Sequence, residues 1–364
     1  MLSLARPTEY KLGEASPMVR KQDKLRVAIS GCHRMLDTLN RGHNWANGFA
    51  RVPDTAVVGV FDKDQETRDT FRSVWKDTWG EIPGYDDYEN MLADTRPDIV
   101  CITTRQTMHA AQVDAAVAAG VRGLAIEKPF ATSLAEADRI ISVCEQNNVA
   151  IAYLLDRRWV NRHRAVCEFI SGGAIGEVSS VVGFGSANLI NHGCHWYDMA
   201  FALAGDPDPV WASGHVEDVS DDPPDSRRSM DPPGRSTIKL DNGSFIHILP
   251  DGFRMGFQVA GSEGGLMALH DFQKAYYWRE DEEKQVPIDL PDDQEEWPAG
   301  PAAIKDLVNA VENGGKTACD AAEARRATEI GFAIHMSHNS SGAKIQLPAA
   351  DRSLRIESFP WGNE

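Results

Sequence analysis

Glu127-Lys128-Pro129 places a lysine directly after a strand-like run, Val121 to Ile126, and ahead of Ser133-Leu134-Ala135-Glu136, which opens an amphipathic helix. A lysine at the carboxyl end of a strand in an open α/β sheet projects into the crevice where such sheets bind ligands. The proline makes the Lys-Pro bond a candidate cis peptide. As a bare tripeptide these residues also fit a surface turn; their place after a run of βα units favours a site. A second cluster closes the first strand, Ser30-Gly31-Cys32-His33-Arg34-Met35-Leu36. In a dinucleotide fold this strand runs into G-x-G-x-x-G, whose glycines let the backbone approach a pyrophosphate seated on a helix N-terminus. Gly31 is the first glycine, and His33 and Leu36 stand at the other two positions. His33 and Arg34 offer hydrogen bonds to phosphate in place of close backbone contact. The second strand ends in Phe61-Asp62, setting a carboxylate where it can bind the adenosine ribose hydroxyls. An acid there favours NAD over NADP, because it repels a 2′-phosphate. The same aspartate also fits a simple turn.

The elements that must position these groups alternate. Strands are expected at Leu25 to Ser30, Ala56 to Phe61, Asp98 to Thr103, Val121 to Ile126 and Val149 to Leu155. Helical stretches intervene, notably Ala110 to Ala119 and Ser133 to Gln146, stopped by Gly120 and Asn147-Asn148. This alternation predicts a parallel, doubly wound sheet. After Asp156 the rhythm changes to helix, strand, helix and then short strands with tight turns, Asp241-Asn242-Gly243 being a strong hairpin signal. The fold class is therefore an α/β N-terminal Rossmann-type domain plus an α+β C-terminal domain with a large, mostly antiparallel sheet. The expected divisions are an N-terminal arm (1–23), the dinucleotide domain (24–155), a substrate and oligomerisation domain (156–350) and a tail (351–364). The stretch 221–234 reads as a mobile insertion, and 280–301 as an acidic loop.

Composition removes several function classes. A net charge of −17 leaves no basic face for nucleic acid and disfavours an anionic membrane surface. No apolar run has membrane-spanning length, and the first 23 residues have no secretory pattern. The six cysteines show no C-x-x-C pair, so they read as small core residues in a reducing compartment, and the location expected is cytoplasmic. The eleven histidines are scattered, which disfavours a metal site.

From about Leu25 to Pro348 the chain resembles the glucose-fructose oxidoreductase / inositol dehydrogenase / MocA (Gfo/Idh/MocA) family. Thr103-Thr104-Arg105-Gln106-Thr107-Met108-His109 resembles its T-P-N-x-x-H run, and Ala118-Ala119-Gly120 with Glu127-Lys128-Pro129 resembles its A-G-K-H-V-x-x-E-K-P signature. Arg157-Arg158-Trp159 resembles the arginine-aromatic segment opening the second domain. Gly172-Gly173-Ala174-Ile175-Gly176-Glu177-Val178 is close to S-G-A-I-G-E-V, and Asn191 to Asp198 resembles the D-x-x-x-H-x-x-D helix start. The resemblance implies NAD(P)-dependent hydride transfer at a hydroxyl-bearing carbon of a sugar or cyclitol. It implies Lys128 as a proton-exchanging group whose pKa falls on desolvation, and His195 as the group that binds or deprotonates the reacting hydroxyl. Thr103, Thr104, His109 and Glu127 join the cofactor set with Ser30, Gly31, His33, Arg34, Asp62 and Lys128. Arg157, Trp159 and His192 supply hydroxyl-binding and stacking surfaces, and Asp198 is structural. A homo-oligomer, dimer or tetramer, is expected by fold analogy.

Three departures stand out. Asn191 occupies the position of the family's catalytic aspartate, and an amide cannot raise a histidine's basicity by charge, so the proton relay is weakened or rerouted. The segment between Phe184 and Asn191 is short where the family commonly has a substrate-covering stretch. Extra residues fall between Gly31 and Pro53, and Arg41-Gly42-His43-Asn44-Trp45 reads either as a lip over the site or as a surface loop with one buried Trp. Two other readings therefore stand beside the dehydrogenase: an NAD-recycling enzyme that cleaves glycosides by oxidation and elimination, and a non-catalytic dinucleotide or sugar sensor.

Overall fold

The computed structural model describes residues 24–217, 231–252, 254–279, 284–292 and 297–357. The arm 1–23, most of the insertion 221–234 and part of 280–301 lie outside the described residues. Six parallel strands form the first sheet: β1 (Leu25–Ser30), β2 (Thr55–Phe61), β3 (Gly84–Tyr85), β4 (Ile99–Ile102), β5 (Gly123–Ile126) and β6 (Ala150–Tyr153). Their order is β3-β2-β1-β4-β5-β6, so the chain reverses direction across the sheet between β1 and β4. Ligands of open α/β sheets bind at such a switch point, outside the carboxyl ends of the strands. The residues of β4 and β5 are all buried, as a parallel sheet covered on both faces requires. β3 is the strand missed by the sequence reading; its two residues are too few to show a period.

Helices α1 (Trp45–Ala50), α2 (Gln65–Trp79), α3 (Tyr88–Thr95), α4 (His109–Ala118) and α5 (Leu134–Gln146) connect these strands. Asp64, Asp87 and Ser133 cap α2, α3 and α5 by accepting backbone N–H bonds from the first turn. After β1 no helix begins at Gly31: the chain runs irregularly to Asn44 before the six-residue α1. The pyrophosphate seat at a helix N-terminus, expected from the dinucleotide pattern, is therefore not built at this turn.

The second sheet has nine strands, β7 (Val178–Phe184), β8 (Pro209–Val216), β9 (Gly234–Leu240), β10 (Phe245–Leu249), β11 (Gly256–Gly261), β12 (Gly264–Leu269), β13 (Lys274–Arg279), β14 (Val286–Pro287) and β15 (Ile345–Gln346). All its pairs are antiparallel except β7 with β10. The Asp241-Asn242-Gly243 turn joins β9 to β10 as expected. Helices α6 (Asn161–Ser171), α7 (Gly193–Leu203), α8 (Ala299–Asn313) and α9 (Ala321–Asn339) complete the fold, the last opened by an Asp320/Glu323 capping box. Among the described residues there are two hydrophobic cores. The core of the first sheet recruits Ala303, Ile304 and Leu307 of α8, while α7, α9 and the inner face of the second sheet share the other. Helix α8 approaches so closely that a Cβ on Gly123 of β5 would meet Val311 Cγ2 at 2.5 Å. A helix from the C-terminal half thus lies against the first sheet.

Candidate active site

The carboxyl ends of the parallel strands β1, β4, β5 and β6 share one edge of the sheet; Gly31, Thr103 and Glu127 directly follow the first three, and Arg157 lies four residues beyond β6. Gly31, after β1, has φ +90, and a Cβ there would lie 2.8 Å from the backbone of Thr103 and Thr104 beyond β4. Only glycine lets the two strand ends meet. Thr103 Oγ1 donates to the carbonyls of Ser30 (3.0 Å) and Gly31 (2.6 Å). Asp62 accepts the Cys32 N–H at 2.9 Å and the Asp64 N–H at 3.1 Å, so the carboxylate expected at the ribose also braces the turn after β1. His33 and Arg34 are exposed on that turn. His109 is fully buried, its ring nitrogens 3.2 Å from the carbonyls of Thr104 and Phe130, and so ties the β4 loop to the segment following Pro129.

After β5, the Lys128-Pro129 bond is cis. Lys128 Nζ donates to Asn191 Oδ1 at 2.8 Å, joining the first sheet to the start of α7. Burial lowers the lysine pKa and outweighs the Glu127 charge, which acts in the opposite direction; Arg34 adds to the lowering. Glu127 is itself buried. Its Oε1 accepts both the Trp45 indole N–H and His43 Nδ1 at 2.8 Å, and its Oε2 accepts the Lys128 backbone N–H at 2.9 Å. Burial pushes the Glu127 pKa up, but the charge and hydrogen bond of His43, the Lys128 charge and the Trp45 bond bring it down to about 2. The carboxylate is then an acceptor only, so His43 holds its proton on Nδ1. In the segment Arg41 to Trp45 the buried Trp of the surface-loop reading is present, and both His43 and Trp45 bond to Glu127. Trp45 is buried, edge-on to Trp297 at 4.7 Å, while His43 stays one-third exposed beside the Glu127 carboxylate.

Asn191 opens α7, and its loop is held from below by Asp231. The two carboxylate oxygens of this fully buried residue accept the N–H groups of Ile190 and Asn191, both at 2.9 Å. Asn188 Oδ1 accepts the His192 N–H at 2.7 Å. His195 follows one turn after Asn191, 7% exposed. Burial, then the charges of Arg157, Lys128, His192 and His43, push its pKa well below the usual histidine value. His192 falls to about 4 for similar reasons, burial first. Both rings are neutral at neutral pH, the form that accepts a proton.

Arg157 reaches the same crevice, its Nε donating to Asp271 Oδ1 at 2.9 Å with Asp156 Oδ1 at 3.4 Å. Asp271 lies in the turn between β12 and β13, where His270, Asp271 and Phe272 have φ of 53, 58 and 59. Three left-handed non-glycine residues in sequence are costly, and the turn is held by the fully buried Phe272, stacked on His163 at 4.2 Å. Trp159 corrects an expectation. It is 5% exposed within the first core and its indole N–H donates to Asp306 of α8 at 2.9 Å, so it offers no stacking face to a sugar. Asp198 is structural as read: it clamps the Arg158 guanidinium together with Asp206. The sequence reading missed Asp156, Asp231, Asp271 and Trp297 as members of this neighbourhood. The one local signal was Asp156, adjoining the arginines already singled out. Among the described residues no group of three or more His, Cys, Asp or Glu side chains forms a metal site. No helix among them is long and apolar enough to cross a membrane. The described cysteines are free, and all but Cys167 are buried.

Residues 25–154 match the profile described as "Oxidoreductase family, NAD-binding Rossmann fold", and residues 177–347 match its companion, "Oxidoreductase family, C-terminal alpha/beta domain". The chain belongs to the Gfo/Idh/MocA oxidoreductase family. It is 29% identical over 154 residues to a D-apiose dehydrogenase of Rhizobium rhizogenes, covering 42% of this chain and 41% of that protein. It is 35% identical over 153 residues to a D-apiose dehydrogenase of Paraburkholderia graminis, covering 42% and 38%. The match therefore spans less than half the length of either curated relative. An oxidoreductase from Agrobacterium radiobacter, solved in complex with NAD+, L-tartaric acid and magnesium, has the same fold, with a TM-score of 0.73 at 16% identity over 89% of this chain and 99% of that one.

Proposed function

We propose that this Gfo/Idh/MocA member is an NAD-dependent oxidoreductase. It moves a hydride between nicotinamide and a ring hydroxyl carbon of a sugar, glycoside or cyclitol, with Lys128 and His195 handling the proton. The observation that carries this reading is the buried Lys128 ammonium, its pKa lowered, bonded to Asn191 one helical turn before a neutral His195. The close passage of Gly31 against Thr103 and Thr104 and the carboxylate of Asp62 fit a dinucleotide at the switch point. Ser30, Gly31, Thr103 and Thr104 would line it, Asp62 would take the adenosine ribose and disfavour NADP, and His33 and Arg34 would meet the pyrophosphate. Bound NAD supplies the hydride acceptor. Glu127 fixes the height of Lys128 through its backbone N–H, and His109 holds the neighbouring loops together. Asn191 orients the reacting hydroxyl with Lys128, His195 takes its proton, and His192 and Arg157 bind further hydroxyls. A homo-oligomer would form on the open face of the nine-stranded sheet, where Phe245, Met267 and Trp278 are only half-buried.

The missing helix start after Gly31 favours one competing reading, a non-catalytic sensor of dinucleotide or sugar. Calorimetric titration with NAD and NADP, followed by a screen of sugars and cyclitols for NADH formation, separates the two. The dehydrogenase binds NAD more tightly than NADP and turns over at least one polyol. A protein that binds dinucleotide but reduces none of it, or that binds neither, contradicts the proposal.

A further inference from the structure

His195 is the proton acceptor in the reading above, yet its Nδ1 is buried and without a hydrogen-bond partner among the described residues. A neutral imidazole accepts a proton at Nε2 only when Nδ1 holds the other one, and in known proton relays a carboxylate on Nδ1 fixes that tautomer. Asn191, in the family's aspartate position, cannot serve, since its side-chain oxygen is turned to Lys128. Charged or titratable groups near the ring on neighbouring elements include Arg157, Lys128, His192 and His43, none of which is an anion. Among the described residues, Asp156 is the carboxylate within ion-pair distance, its Oδ1 lying 3.8 Å from His195 Nδ1.

The geometry points to Asp156 as the positioning residue that accepts a hydrogen bond from the His195 Nδ1–H and so aims Nε2 at the substrate hydroxyl, replacing the carboxylate absent at Asn191. Asp156 is suited to this. It immediately follows Leu155 at the crevice end of β6, and its side chain is 26% exposed. Its two other bonds are long, 3.4 Å from Arg157 Nη1 and 3.4 Å from Trp297 Nε1, so acceptor capacity remains. Catalytic hydrogen bonds are often long before substrate binds and tighten in the Michaelis complex. The Trp297 contact also gives Asp156 a link to the rest of the site. Trp297 packs on Trp45, Trp45 bonds Glu127, and Glu127 holds Lys128, so the supports of the two proton-handling residues form one chain of contacts.

This inference rests on the dehydrogenase reading, but its test does not need turnover. The nitrogen-15 shifts of the His195 ring, assigned by loss of the signal in His195→Gln, report the tautomer directly in the full-length protein. In the native protein at neutral pH the ring carries its proton on Nδ1, and in Asp156→Asn it moves to Nε2. With a substrate in hand, Asp156→Asn lowers kcat by about 10–100-fold, as loss of an orienting carboxylate does elsewhere, while KM changes little. A His195 tautomer unaltered by Asp156→Asn overturns the inference, as does an unaltered kcat. If no polyol is oxidised by the native protein, the function proposal fails while the ring spectrum still decides the role of Asp156.

Discussion

At the scale of single residues, the account turns on Lys128. Lys128→Ala should reduce turnover by roughly 10²–10⁴-fold, the range for loss of a positioned proton-transfer group, with NAD affinity by calorimetry nearly unchanged. Glu127→Gln should act differently. The Glu127 charge supports the Lys128 ammonium, so its removal lowers the lysine pKa further and shifts the acid limb of kcat/KM to lower pH. Stability carries a second signature. The folded Glu127 pKa, about 2, lies below the unfolded value. Its contribution, on the order of 3 kcal/mol, is therefore complete above about pH 4.5 and lost as pH falls toward 2. Urea titrations between these limits should show a flatter pH dependence for Glu127→Gln than for the native chain. Lys128, Asn191 and His195 were legible in the sequence because each sits at a fixed offset from a strand end or helix start. Asp271 was not, since it meets Arg157 across 114 positions of sequence. Trp159 was misread for the same reason. An arginine-aromatic run looks alike whether the ring faces a crevice or a core, and the deciding partner, Asp306, comes 147 residues later.

At the scale of elements, the start of α7 depends on Asp231, which lies within the stretch 221–234, whose composition gave no hint of such a role. Asp231→Asn leaves one oxygen for two buried N–H groups, and should destabilise the fold by about 1.5–3 kcal/mol. Hydrogen exchange should quicken at Ile190 and Asn191 beyond the global change; unaltered exchange there would remove Asp231 as the support of the loop. The strands of the first sheet were readable from their continuous apolar runs, and α2, α3 and α5 begin where aspartate or serine caps stand. The turn after β1 was legible only as a fault. His33 and Leu36 showed that two glycines were missing, but that the helix would be displaced to Trp45, with His43 and Trp45 bound to Glu127, required the tertiary contact.

At the scale of the molecule, the two sheets are coupled through the segment between them. Arg158, nearly buried, is held by Asp198 of α7 and by Asp206, which also bonds Arg326 of α9. Arg158→Ala leaves the buried Asp198 carboxylate without its ion-pair partner, while Asp206 keeps Arg326, and a loss of about 3–5 kcal/mol is expected in urea unfolding. Alternation of strands and helices made the parallel sheet readable, and successive short strands with tight turns the antiparallel one. The packing of α8 on the first sheet was not, because its apolar face fits either core by pattern alone. The central claim is that the crevice where these layers meet binds NAD and uses Lys128 to support hydride transfer. Its most direct test follows NADH formation with a sugar and cyclitol panel, comparing the native protein with Lys128→Ala, each first shown by calorimetry to bind NAD. The account predicts turnover by the native protein and binding without turnover by the variant. Equal turnover by both, or no NAD binding by the native chain, would contradict it.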